Sequence, residues 1–139
     1  MPETAAHAPT SVAVINTSDD VVEMLRLLLE QAGFVVVSAH ADDIKRGQVD
    51  LQNFVEQHDP KVIVYDLAPP YDRNWMFLEH LRSRPPLHGR EFVLTTTNVK
   101  QVRACVGPAE HVYEIVGRPL DLDQILAAVK EASRARATR

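Results

Sequence analysis

A chain of 139 residues can build one ordinary domain with its own core, and 45% hydrophobic and 24% charged residues is a globular composition. A net charge of −4 argues against nucleic acid or an anionic membrane surface as partner. There is no apolar run of membrane-spanning length and no signal-peptide pattern, and the single cysteine, Cys105, has no internal disulfide partner. These features point to a soluble, cytoplasmic protein.

Residues 1–10 lack apolar period and read as a flexible tail ahead of a domain at 11–133. Val12-Ala13-Val14-Ile15 has the continuous apolar character of a strand covered on both faces. Val21, Met24, Leu25, Leu28, Leu29 and Ala32 then recur at helical spacing. Ser18 is the expected cap, Asp19 and Asp20 sit in the favourable first turn, and Gly33 is the stop. Phe34 to Val37 reads as a second strand. Leu51, Phe54, Val55 and His58 mark a helical face, whereas Gly47 breaks any longer helix and leaves Asp42 to Val49 as a loop or a separate turn.

Lys61 to Tyr65 is a third strand. A helix is expected over Asn74 to Arg82, with Trp75, Leu78 and Leu81 on one face and Pro85-Pro86 beyond its end. Phe92 to Thr95 is a fourth strand, Val99 to Val106 a short helix, and Val112 to Val116 a fifth strand. Asp121, with Gln124 three residues on, opens a last helix whose apolar face is Leu122, Ile125, Leu126 and Val129. Residues 134–139 read as a fraying tail. Five alternations of strand and helix predict an α/β protein, a flavodoxin-like (βα)5 three-layer sandwich around a five-stranded parallel sheet with right-handed crossovers. Ligands of such sheets bind beyond the carboxyl ends of the strands. The residues to inspect are therefore Asn16, Thr17, Ser38, Asp66, Thr96, Thr97, Gly117 and Arg118.

Over about residues 11–132 the sequence resembles the receiver domain of two-component response regulators. The segments that carry the likeness are LRLLLEQAGFVVVSA, VIVYDLAPP, FVLTTT and IVGRPLDLDQILAAV, in that order. The resemblance implies that Asp66 stands at the phospho-acceptor position, with Pro70 four residues on, that Thr96 is the switch threonine, and that Arg118 takes the place of the phosphate-contacting lysine. The departures are equally specific. Asn16 and Thr17 stand where the family has its Mg²⁺-binding acidic pair, Ile115 replaces the aromatic switch residue, and YDRNW follows the acceptor where the family has a glycine-containing turn.

A hard cation wants carboxylate oxygens, and only Asp66, with neutral Asn16, is on offer; Mg²⁺ binding is expected to be weak and phosphorylation slow or absent. Arg118 has two readings: it binds a phosphoryl group through its planar fork, or it pairs with unmodified Asp66 and partly replaces the cation.

Plainer readings stand beside these. Asp66 at a strand end can be a turn residue, and Asn16, Thr17 and Ser18 can be a turn and cap. Cys105 reads as a small core residue and Trp75 as core, rim or an exposed partner contact; the six histidines show no metal-binding spacing. No acid–base pair, nucleophile–base pair or metal cluster supports a hydrolase, so the chain is not expected to be an enzyme.

The reading that follows is an atypical, stand-alone receiver in phosphorelay signalling that acts by protein–protein contact with a histidine kinase or downstream effector, or as a homodimer. A normally phosphorylated receiver is the alternative. A flavodoxin-like flavin carrier is a third reading, disfavoured by the short, glycine-free loop after the first strand. The family's usual contact surface corresponds here to Lys100, Gln101, Arg103, Tyr113 and the exposed side of 121–134.

Overall fold

A computed structural model describes residues 9–135; the tails expected at 1–10 and 134–139 fall for the most part outside them. The elements in chain order are β1 (Ser11–Asn16), α1 (Asp19–Gln31), β2 (Val35–His40), α2 (Ala41–Lys45), α3 (Leu51–His58), β3 (Val62–Asp66), α4 (Tyr71–Arg82), β4 (Glu91–Thr96), α5 (Val99–Val106), β5 (Val112–Gly117) and α6 (Leu122–Ser133). The strands form one parallel sheet in the order β2-β1-β3-β4-β5.

Strand alternation sends successive side chains to opposite faces, which gives the sheet two cores. Ala13, Ile15, Ile63, Tyr65, Phe92 and Leu94 pack under α2 to α5 with Leu51, Val55, Trp75, Leu78 and Val102. Val12, Val14, Val62, Val64, Val93 and Val116 pack under α1 and α6 with Leu25, Leu29, Ile125, Val129 and Ala132. Trp75 is therefore a core residue, and Cys105 is packed partly against the same cluster.

Local signals explain most boundaries. Ser18 Oγ accepts from Val21 N at the start of α1, and Asp50 and Asp121 cap α3 and α6 in the same way. Three elements depart from expectation by more than one residue at an end, or are new. β2 runs on to His40 because it is an edge strand whose last residues are only partly covered and need no apolar pattern. Part of the stretch expected as loop or turn forms the short helix α2, capped by the His40 ring, whose Nδ1 accepts from Asp42 N. α4 begins three residues before Asn74. Its N-cap is Pro70, which makes no side-chain cap bond, so no start signal precedes it; Asn74 turns back and donates to Ala68 O.

Arg26 fixes α1 across the sheet edge, donating to Val36 O at 3.0 Å and to Ser38 Oγ at 3.0 Å. On the other half of the molecule the Arg82 guanidinium lies between two aromatic rings, 5.3 Å from the Trp75 centroid and 5.0 Å from that of Phe92. It is paired with Glu79 and donates to Glu110 O, and burial lowers its pKa.

Candidate functional site

Because the sheet is parallel, Asn16, Asp66, Thr96 and Gly117 all finish at the same edge. The β3–β4 register sets Asp66 beside Thr95, and the Thr95 hydroxyl donates to Asp66 Oδ1 at 2.6 Å. Arg118 enters from the β5 side. Its backbone N–H donates to Thr96 O at 3.0 Å, and its Nη2 sits 3.1 Å from the same Asp66 Oδ1 and 3.4 Å from Asn16 Oδ1. The Asp66 side chain is 7% exposed and that of Arg118 30%. Asn16 is buried and also accepts from Ser18 N at 2.9 Å, so it is at once a turn residue and a neighbour of the guanidinium.

Two details complete the geometry. Both donors fall on Oδ1; among the described residues Oδ2 takes no hydrogen bond, and it is not sealed from solvent. Arg118 Nε, by contrast, is buried without a partner among the described residues, which costs on the order of 1–3 kcal/mol. The ion pair is thus held in place at a cost.

The sequence matches no family model and no curated protein. Solved structures do match. The chemotaxis protein CheY4 of Vibrio cholerae is 20% identical, with a TM-score of 0.67 over 90% of this chain and 99% of that one. A response regulator from Thermotoga maritima is 16% identical, with a TM-score of 0.70 over 92% and 100% of the two chains. A sensor protein from Polaromonas sp. JS666 is 18% identical, with a TM-score of 0.72 over 91% and 97%. The chain has the receiver fold.

Within that receiver fold, the hydroxyl that reaches Asp66 belongs to Thr95. Thr96 lies one residue further on, so its side chain leaves the other face of β4, where its Oγ1 accepts from Asn98 N. Strand register, which the sequence does not carry, is what selects Thr95: the residue paired with Asp66 is its neighbour, and period two excludes the next one. Tyr71, not singled out in the sequence, hydrogen-bonds Thr97 through its hydroxyl at 2.8 Å and links α4 to the loop after β4.

The donors at this edge do not assemble a receiver-type metal site. Asp66 and Asn16 are brought together, but around a guanidinium rather than an open space. Thr17 is exposed, and Asp19 lines a separate hollow with Ser38, His40 and Asp43. Among the described residues no three His, Cys, Asp or Glu side chains gather where they could share an ion. One carboxylate with a cation already on it does not fit a divalent metal.

Of the expected contact surface, Lys100 and Arg103 are exposed on α5, Arg103 lying 3.6 Å from Glu114. Tyr113 faces the other side of β5 and packs partly against the α6 core. Partial burial, with Glu91 and Glu131 nearby, pushes its hydroxyl pKa up.

Two consequences of this site are measurable. A Cβ on Gly117 would meet Val99 Cγ2 at 2.8 Å, and valine has little rotamer freedom to retreat. Gly117→Ala is expected to cost about 1–2 kcal/mol in urea unfolding, with Val99→Ala relieving it in the double variant. Tyr65, buried beside Asp66, has its pKa raised to about 12, by desolvation first and the Asp66 charge second. The unfolded tyrosine ionises near its ordinary value and the folded one later. Its stabilising effect is therefore complete below that ordinary value and lost as pH rises towards about 12. Two units correspond to about 3 kcal/mol. Urea midpoints followed into this alkaline range should fall more steeply for the native chain than for Tyr65→Phe.

Proposed function

We propose that this chain is an atypical receiver module of two-component signalling that works by protein–protein contact, with Arg118 standing on Asp66 where a receiver would place a metal. The observation that carries this reading is the 3.1 Å pair between Arg118 and a largely buried Asp66 carboxylate. Phosphoryl transfer to a carboxylate depends on positioning and on neutralising the incoming charge. Here the neutralising charge is already committed to the unmodified carboxylate, and Thr95 holds the same oxygen. A site so balanced needs no phosphorylation to keep its shape. The fold supports the receiver part of the reading, as do the relatives described as chemotaxis and response-regulator proteins. No described helix is long and apolar enough to cross a membrane. The reading implies a cytoplasmic location and a kinase or effector as partner, with Lys100 and Arg103 exposed on α5 to meet it.

One observation favours a second reading, an ordinary phosphorylated switch. Oδ2 of Asp66 has no protein partner among the described residues and keeps contact with solvent, so it could attack a phosphorus atom while Arg118 swings to the arriving oxygens. Intact mass after incubation with acetyl phosphate and Mg²⁺ separates the two. The proposal expects an unmodified mass for the folded chain; a phosphoryl adduct that disappears in Asp66→Asn would establish the second reading instead. Chemical shifts around Asp66 should likewise stay unmoved through a low-millimolar Mg²⁺ titration.

A further inference from the structure

Two helices of this chain carry outward faces that match each other. On α1, Leu27 (54% exposed) and Met24 stand free, with Asp20, Glu23 and Glu30 around them at helical spacing. On α4, Met76 (67% exposed) and Phe77 stand free, with Arg73 and His80 beside them and exposed Arg84 just past the helix end. The remaining charges near these faces reduce the contrast without reversing it. Arg26 leans to β2 and offsets part of the charge of Glu23 and Glu30, Glu79 is balanced by Arg82, and Asp72, which accepts from its neighbour Arg73 N, stays an exposed carboxylate beside Arg73. Each face has an apolar centre and a charged rim, acidic on α1 and on balance weakly basic on α4.

We propose that the α1 face of one copy of this chain docks on the α4 face of a second copy. Self-pairing is opposed by net charge: α4 against α4 would bring together two faces on which Arg73 and Arg84 outnumber Asp72, and α1 against α1 two faces on which Asp20, Glu23 and Glu30 outnumber Arg26. The unlike pairing brings opposite rims together and covers both apolar centres, as interfaces with an apolar core and polar rim do. The contact is heterologous. The two helices also lie on opposite sides of the sheet, α1 over the core shared with α6 and α4 over the other. A copy bound through one face therefore keeps its second face free, and association continues past a pair, into an open row or, where the rotation closes, a ring.

The test is sedimentation equilibrium of the full chain at low salt over rising concentration, with Leu27→Glu and Met76→Glu as variants. Both positions are more than half exposed, so circular dichroism should show both variants folded. The native chain is expected to gain average mass beyond that of two copies and to lose it as salt is raised. Each variant alone should be monomeric. Mixed in equal amounts, the variants retain one intact α1 face and one intact α4 face between them, and should form dimers and nothing larger. A native chain that stays monomeric, a plateau at two copies, or a mixture that stays monomeric while the native chain associates would each overturn the proposal. None of these outcomes depends on whether Asp66 accepts a phosphoryl group.

Discussion

Arg118→Ala is expected to destabilise the folded chain by about 2 kcal/mol at neutral pH, and Asp66→Asn by less than about 1 kcal/mol. The difference follows from where the partners sit. Removing the guanidinium leaves a carboxylate that is 7% exposed with one hydroxyl as its remaining donor. Removing the carboxylate charge leaves an arginine that is 30% exposed and can turn its head into water, while asparagine still accepts from Thr95. The value lies below that for a sealed pair because one partner is near solvent and because Nε already lacks a partner. The double variant Asp66→Asn/Arg118→Ala should recover about 1 kcal/mol relative to the sum of the singles, since no unbalanced charge remains. Equal losses for the two single variants, read from urea midpoints, would show that Arg118 does not neutralise Asp66.

The largest stability effect is expected at Phe92. Its ring is fully buried at the start of β4 and carries the Arg82 guanidinium on its face. Phe92→Ala removes the ring, opens a cavity and strips one aromatic wall from a cation held away from water. The expected loss is roughly 4 kcal/mol, which for a chain of this size lowers Tm by roughly 10–15 °C. Phe92→Leu, which refills most of the volume, should cost about 1 kcal/mol. Arg82→Met should fall between them, because Glu79 is half exposed and can be hydrated again, whereas the Glu110 carbonyl loses its donor. Calorimetry of the three variants tests the order. A Phe92→Ala protein that melts like Phe92→Leu would mean that the core closes over the gap.

The sheet and its central strands were legible because burial on both faces forces runs such as Val12 to Ile15 and Val62 to Tyr65, which few other settings explain. Two capped helices were equally legible, because Ser18 and Asp121 are side chains that can satisfy free backbone donors; Asp50 caps α3 in the same way but was not read as a cap. What else escaped lacks such a local cause. Pro70 precedes α4 without a side-chain bond, and the contact made by its first turn is a tertiary one, the Tyr71–Thr97 hydrogen bond to the loop after β4. β2 continues through Ser38, Ala39 and His40 because β1 supplies hydrogen bonds, not because those residues are apolar. At the site, Asp66 and Arg118 could be named as a pair from the sequence, but the choice among Thr95, Thr96 and Thr97 could not. Thr95 and Thr96 leave opposite faces and Thr97 lies past the strand end, and which of these identical side chains meets Asp66 is fixed by register with a strand almost thirty positions earlier.

The Arg26 clamp bears on how other chains can approach. Val35 N donates inward to Thr10 O, so alternation turns the Val36 carbonyl to the open side of β2, and this is the group that Arg26 occupies. A foreign strand seeking to extend the sheet there would have to displace a charged donor already satisfied by the protein. The margin is thereby made unattractive to strand addition and to fibrous aggregation. Arg26→Ala would unblock that rail and should make the chain more prone to thioflavin-positive aggregates under mild heating, while leaving the helical surfaces available for ordered association.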